Sequence, residues 1–306
     1  MRSCAGIVTY NPEIIRLKEN ISSIVHQLEF VYIVDNGSNN IDEIEQLCNQ
    51  YESIQLFSNG ENRGIATALN QIFQIAVKDG FTHVLTLDQD SVSTYGMVDA
   101  LEKLVAGNVG IVSPQIIDRN REGVGDVESQ KDRKIYTVKQ AARKGILTSG
   151  SLTSIEAWKK VGGFDESLFI DYVDYDFNKR LLLEGYTLFR TGEAALIHEC
   201  GNLQPTWLYV PRKEQDGTWR FERFYSFGHS AFRCYYKARN RIIYTKKYIG
   251  SPGFFQFEGA IQIIPQIVLT LLFEHEKKQK LSAFFRGIKD GVHAKVERYE
   301  ISKKRA

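Results

Sequence analysis

Four cysteines, six prolines, two methionines and no uninterrupted apolar run of bilayer length are what this 306-residue chain has little of, and each scarcity excludes something. Cys4, Cys48, Cys200 and Cys234 lie far apart with no CxxC pair. That spacing removes a zinc cluster and a dense disulfide framework, and makes a reducing cytosol the simplest compartment. Few prolines, 24 glycines and 43% hydrophobic residues speak against collagen, low complexity and wholesale disorder. The opening residues hold too short an apolar stretch for a signal peptide. The most apolar late stretch, residues 261–273, is broken by Gln262, Pro265 and Gln266 and falls short of the roughly 20 residues that a membrane span needs. Net charge is only +2, so a polycationic nucleic-acid binder is not expected, and no nucleic-acid motif is present. The total conceals an asymmetry: residues 1–200 carry 19 Lys/Arg against 28 Asp/Glu, and residues 201–306 carry 20 against nine. An acidic body with a basic end suits contact with something anionic.

What is present first is alternation. Short apolar runs at residues 6–10, 30–34, 54–57, 83–87 and 109–112 read as strands. Between them, residues 13–28, 41–47 and 65–77 place apolar side chains at helical spacing. Strands alternating with helices imply a doubly wound, mostly parallel sheet covered on both faces. Ligands of such sheets bind beyond the carboxyl ends of the strands. Polar residues fall at those ends: Thr9-Tyr10-Asn11, Asp35-Asn36 and Asp88-Gln89-Asp90. Residues 120–147 are polar without periodicity, as in a loop or hairpin excursion. From about residue 220 the chain reads as helical and rich in Phe, Tyr, Lys and Arg. The organisation expected is a domain over 1–218 and a helical extension over 219–306.

Asp88-Gln89-Asp90 ends an apolar strand, where two carboxylates can hold Mg²⁺ or Mn²⁺ or simply cap a turn. Asp35 can meet a nucleotide base or ribose, or hold the turn that Asn36-Gly37 announces. The small residues after Asn62-Arg63-Gly64 allow close approach of a ligand or tight helix–sheet packing. Asp165, Asp171, Asp174 and Asp176 crowd one segment, where a catalytic base and helix-start carboxylates look alike in sequence. His198 follows an apolar run, as a structural residue or as an imidazole completing a carboxylate metal site.

In this order the pieces resemble the inverting family 2 glycosyltransferases, and most the bacterial rhamnosyltransferases of O-antigen and cell-wall polysaccharide assembly. The carriers are Val8-Thr9-Tyr10-Asn11-Pro12, Val34-Asp35-Asn36-Gly37-Ser38, Asn62 to Asn70, Asp88-Gln89-Asp90, Thr148-Ser149-Gly150-Ser151, Gly163-Phe164-Asp165-Glu166 and His198. The resemblance implies a GT-A fold and transfer of a sugar from a nucleotide donor, dTDP-L-rhamnose first, to a saccharide on a lipid carrier. It implies Thr9, Tyr10, Asn11, Asp35, Asn62, Arg63 and Gly64 around the nucleotide, and Ser149 and Gly150 shaping the sugar pocket. Asp88 would contact the ribose and the water shell of the ion, Asp90 and His198 would hold Mg²⁺ or Mn²⁺, and Asp174 would be the general base. Where the family carries a Glu-Asp pair, Val173 stands here in the first place, which leaves Asp171 and Asp176 as rivals of Asp174. The alternatives are the same fold with a UDP- or GDP-sugar, and a nucleotide-binding regulatory module without turnover.

The basic, aromatic end has two readings of its own. Its rings and cations can lie on the anionic inner face of a plasma membrane, where a lipid-linked acceptor would be met, or the rings can fill a helical core.

Overall fold

The computed structural model describes residues 1–119, 127–141, 145–199, 204–213, 219–226, 228–255 and 258–301. Cys200 and parts of the polar stretch, 120–126 and 142–144, lie outside the described residues. The alternation read over the first part of the chain folds as β1 (Ser3–Thr9), α1 (Ile14–Ile24), β2 (Val31–Asp35), α2 (Ile41–Cys48), β3 (Ile54–Ser58), α3 (Ile65–Lys78) and β4 (His83–Asp88). Every residue of β1 and β2 is buried, as expected of central parallel strands covered on both faces. On α1 the helical stripe Leu17, Ile21 and Ile24 packs with Ile33, Ile44, Leu85 and Leu101 in one core. Each such side chain contributes about 1.5–3 kcal/mol by leaving water.

The chain continues through β5 (Val92–Ser93), α4 (Met97–Glu102), β6 (Val109–Asp118), α5 (Val127–Gln130), β7 (Ile135–Thr137), β8 (Ser151–Ser154), α6 (Ile155–Lys160), α7 (Val173–Leu183) and β9 (Thr187–His198). Strands β1 to β9 form one sheet in the order β3-β2-β1-β4-β8-β6-β9-β5, with β7 paired to β9. β3, β2, β1 and β4 run parallel, and β8 is inserted antiparallel between β4 and β6. Strand order reverses across β1, because β2 and β3 lie on one side and β4 on the other. A crevice for ligands opens at such a switch point, beyond the carboxyl ends. Register places Thr9 opposite Asp35 and Val8 opposite Asp88, so three polar strand ends lie side by side there.

Two compact units result: Met1–Glu199 with Tyr299–Ala306, and Cys200–Arg298. The second holds β10 (Gln204–Lys213), β11 (Trp219–Ser226), α8 (Ala231–Tyr248), α9 (Ile263–Phe273) and α10 (Lys277–His293). β10 and β11 pair antiparallel, so the helical pattern expected from residue 220 starts only at 231. A cut at 218/219 would separate these two strands, whose ladder keeps both in the second unit. The core of this unit is small: Cys234, Ala238, Ile263, Ala283 and Phe284. α10 approaches α8 closely because Gly287 and Gly291 face it; a Cβ at Gly287 would stand 2.3 Å from the Tyr235 carbonyl oxygen. On α8, Tyr244 and Tyr248 are buried, so these rings fill the unit's own interior. Among the described residues, no helix is long and apolar enough to cross a membrane.

Candidate active site

Three side chains named from the sequence converge. Asp88 ends β4, Asp90 follows in the turn, and His198 ends β9; one ligand atom from each lies within 4.8 Å of the others. His198 Nε2 is 3.9 Å from Asp88 Oδ2, and Nδ1 is 3.7 Å from Asp90 Oδ1. Burial and then the neighbouring Asp88 charge push the Asp90 carboxyl up, against the opposing influence of His198 and Arg119. Asp90 Oδ1 is buried without a hydrogen-bond partner. An orphaned carboxylate oxygen beside a second carboxylate and an imidazole fits a divalent cation such as Mg²⁺ or Mn²⁺.

Two serines fix this cluster. Ser91 Oγ stands 2.9 Å from His198 Nδ1 and 2.8 Å from Ser149 Oγ, while Ser149 Oγ accepts the Asp88 N–H at 3.0 Å. With Nδ1–H donating to Ser91, Nε2 keeps its lone pair for an ion. Ser149 is buried, so it acts on Asp88 and Ser91 instead of lining a pocket. Gly150 donates its N–H to the Thr86 carbonyl at 2.7 Å, which fixes the same turn. On α1, the buried Asn20 donates its amide to the Asp88 carbonyl at 2.5 Å. Ser91 and Asn20 escaped the sequence reading. The available signals were a hydroxyl directly after the acidic pair and an amide inside the buried stripe of α1.

Gln89, between the acids, joins this cluster to the ends of β1 and β2. Its side-chain oxygen accepts the Tyr10 N–H at 2.8 Å. Thr9 Oγ donates to Asp35 Oδ1 at 3.0 Å, and Asn11 N–H donates to Ser38 Oγ at 2.7 Å. Asp35 is 0% exposed and accepts four hydrogen bonds, from Thr9 Oγ, the N–H groups of Gly37 and Ser38, and the Ser38 hydroxyl. Its oxygens are thus committed to the turn, and the turn reading of Asp35 is the one realised; it holds the strand ends that the ligand-facing residues leave from. Asn36, read from the sequence only as a strand-end and turn residue, bridges to Asn62: its amide donates to Asn62 Oδ1 at 3.0 Å, and its oxygen accepts the Arg63 N–H at 3.1 Å. Tyr10, Asn62 and Arg63 are exposed at the rim.

Gly64 caps α3 with φ +85°, and a Cβ there would lie 2.7 Å from the Phe169 ring. The Ile65 N–H donates to the Phe169 carbonyl at 2.8 Å. Ala66 and Ala68 are buried, so the small residues of this helix serve packing. Thr67 and Asn70 tie α3 to Glu166 at 3.1 and 2.9 Å. The acidic segment that follows sorts itself. Asp165 caps a short 3₁₀ turn, accepting the Ser167 N–H. Asp176 is buried and paired with Arg180 at 2.7 Å, a structural role. Asp174, in the first turn of α7, accepts the Tyr175 N–H at 2.8 Å. The residue keeps some surface, but desolvation dominates its carboxyl and pushes it up to about 7, with the charges of Asp171 and Asp88 adding to the rise. The Asp88 charge is the smallest of these influences on Asp174. Phe169, Asp171 and Tyr172 all have positive φ, at +61°, +61° and +70°. Such backbone costs about 1–3 kcal/mol per residue and persists only where its surroundings enforce it.

Residues 4–155 match the family described as Glycosyl transferase family 2. Over 253 residues, 79% of each chain, the sequence is 28% identical to dTDP-rhamnosyl transferase RfbF of Shigella flexneri. The fold is shared with GalNAc-T7, solved with UDP, GalNAc and Mn²⁺, at TM-score 0.59 and 14% identity, over 95% of this chain and 56% of that one. It is shared equally with S. aureus TarS 1–349 in complex with UDP-GlcNAc, at TM-score 0.57 and 13% identity, over 94% and 82%. The convergent acids and the doubly wound sheet thus belong to a glycosyltransferase of family 2, with the GT-A fold.

Proposed function

We propose that the chain moves L-rhamnose from dTDP-L-rhamnose to a saccharide acceptor carried on a lipid, inverting the anomeric centre, in bacterial surface-polysaccharide synthesis. One observation carries the catalytic part: the Asp88–Asp90–His198 cluster with Asp174, a carboxyl poised near neutrality, within reach of the Asp88 charge. The likeness to a dTDP-rhamnosyl transferase along 79% of both chains supports the donor.

Asp174 takes the proton of the acceptor hydroxyl as that oxygen bonds to the anomeric carbon. The bond from that carbon to the diphosphate breaks, and the nucleoside diphosphate departs from the opposite face. A base near the working pH suits this proton transfer. Asp90 and His198 Nε2, with Asp88 beside them, are the residues that would hold Mg²⁺ or Mn²⁺. The ion supplies positive charge against the diphosphate. Tyr10 and Asn11 border the nucleoside, and the buried Thr9 and Asp35 act through them by fixing the turn. The exposed Arg63 guanidinium is suited to a phosphate oxygen. Ser149 and Gly150 support the acids from behind. The acceptor's lipid and the basic second unit together suggest work at an anionic membrane surface.

The test is nucleotide release from dTDP-rhamnose, UDP-sugars and GDP-sugars, each with and without Mn²⁺. The proposal requires the dTDP donor to be turned over fastest. Preference for a UDP- or GDP-sugar replaces the donor and leaves the mechanism. Binding without release from any donor supports the regulatory module instead.

A further inference from the structure

Among the rings of α8 only Tyr244 and Tyr248 are buried and Phe232 is exposed, but the larger exposed rings of the second unit lie on its β-ribbon. In an antiparallel pair, directly opposed residues share a face. Tyr209 pairs with Arg223, Pro211 with Phe221, and Lys213 with Trp219. By this alternation Tyr209, Trp219, Phe221 and Tyr225 mark one face of β10–β11, which is the exposed one, and Trp207, in the irregular stretch between Pro205 and Tyr209, is exposed as they are. Trp207 is 70%, Trp219 66% and Phe221 73% exposed, while Thr206 and Ser226 on the other face are buried. A ribbon with its aromatic side outward reverses the usual placement.

The face does not end at the ribbon. The Trp207 ring lies 5.3 Å from that of Phe273, the last residue of α9. α9 buries Ile263 and Thr270 but exposes Ile264, Val268, Leu271 and Leu272, an i, i+4, i+7, i+8 stripe. Contiguous apolar surface on this scale marks an interaction site.

We propose that the outer face of β10–β11 and the exposed stripe of α9 form one surface that seats on anionic lipid, with the helix lying in the plane of the headgroups. Trp and Tyr favour that depth, and an aliphatic stripe sinks below it. Cys200–Arg298 carries 17 Lys/Arg against eight Asp/Glu. Arg220, Arg223, Lys277 and Lys278 are exposed on or beside these elements. This charge favours anionic headgroups and disfavours a second copy of the same unit. A glycan would find rings to stack on, but no hydrogen-bond partner along Ile264, Val268 and Leu272. The proposal deepens the membrane-surface part of the proposed function and rests on it.

The experiment uses the full chain with vesicles of phosphatidylglycerol and phosphatidylcholine, or of phosphatidylcholine alone. Sedimentation and tryptophan emission are the readouts, since two of the three tryptophans, Trp207 and Trp219, are exposed on the ribbon. Wild type is expected to sediment with the anionic vesicles only, with blue-shifted emission, and to be released by high salt. Trp219→Ser/Phe221→Ser and, separately, Ile264→Ser/Leu272→Ser should each weaken partitioning about tenfold or more. Melting temperature and nucleotide release with a soluble acceptor should stay unchanged, because these side chains are exposed. Variants that bind as wild type overturn this face while leaving membrane binding standing. Wild type indifferent to both vesicles overturns both, and donor turnover is scored apart from either. Emission changes with soluble polysaccharide but not with vesicles, or a dimer that the variants dissolve, overturn the lipid assignment.

Discussion

In the first unit the core is apolar, and the buried polar groups Thr9, Asp35, Ser91 and Ser149 lie at or beside strand ends and are hydrogen-bonded there. In the second, large rings of the β-ribbon and one side of an apolar helix point outward, while Tyr244, Tyr248 and a small cluster around Phe284 are buried. Polar groups in a dry interior tolerate little change, because an orphaned partner keeps its desolvation cost. Exposed apolar groups tolerate much, because their loss leaves the folded state almost untouched. The contrast separates a region selected for what it holds from one selected for what it touches.

The strongest challenge to this contrast is Asp174→Asn, expected to lower turnover by roughly 10²–10⁴-fold with nucleotide binding retained in a thermal-shift titration. The wild-type rate should rise with pH through about 7, the value to which burial pushes this carboxyl. The sign for stability is opposite. An acid whose folded value exceeds its unfolded one binds protons more tightly when folded, so its cost grows from about pH 4 upward and is complete above pH 7. Asp174→Asn should therefore melt higher than wild type at pH 8, by on the order of 1–2 kcal/mol, and equally near pH 4. A variant that is fully active, or less stable at pH 8, breaks the assignment.

Next in size is Asp90→Ala, which should abolish stabilisation by Mn²⁺ in a melting assay. Ser91→Ala should weaken Mn²⁺ binding about 10–100-fold by releasing the imidazole from its fixed orientation. Unchanged affinity would show that Ser91 only fills space. In the second unit, Gly287→Val drives side-chain atoms into the backbone of α8 and should cost about 1–3 kcal/mol by urea titration. The smallest effect belongs to Ile264→Ser, within about 0.5 kcal/mol of wild type in the same titration. If Ile264→Ser proves as costly as Gly287→Val, the outward face of α9 is not free surface.

The parallel block was legible because β1, β2 and the middle of β4 are buried on both faces and its helices carry regular stripes. β8 was not: Ser-Leu-Thr-Ser has no alternation of its own and is a strand only because β4 and β6 flank it. The ribbon was hidden for a different reason. Alternating rings and cations between 219 and 226 carry a strand period, but with apolar residues outward the period resembles a basic amphipathic helix. At the site, Asp88, Asp90 and His198 were readable because strand ends gather ligands. Their proximity was not, since it depends on β9 lying parallel to β6 and past β5. Among Asp171, Asp174 and Asp176, the pairing of Asp176 with Arg180 argues against Asp176, and the sequence could not show that pairing. For Asp35, the same buried position that suggested a ligand contact has its oxygens taken by the turn.

One residue, Phe169, serves two helices. Its carbonyl receives the first amide of α3, its ring closes over Gly64, and its left-handed backbone opens the segment that delivers Asp174. The loop bearing Arg63 and the turn that leads into α7, with the candidate base, therefore both rest on this residue. A Cβ at Gly64 would meet both the ring and the backbone of Phe169 at a φ that disfavours it, so Gly64→Ala should shift Phe169 and disturb the approach to α7 together with the nucleotide loop.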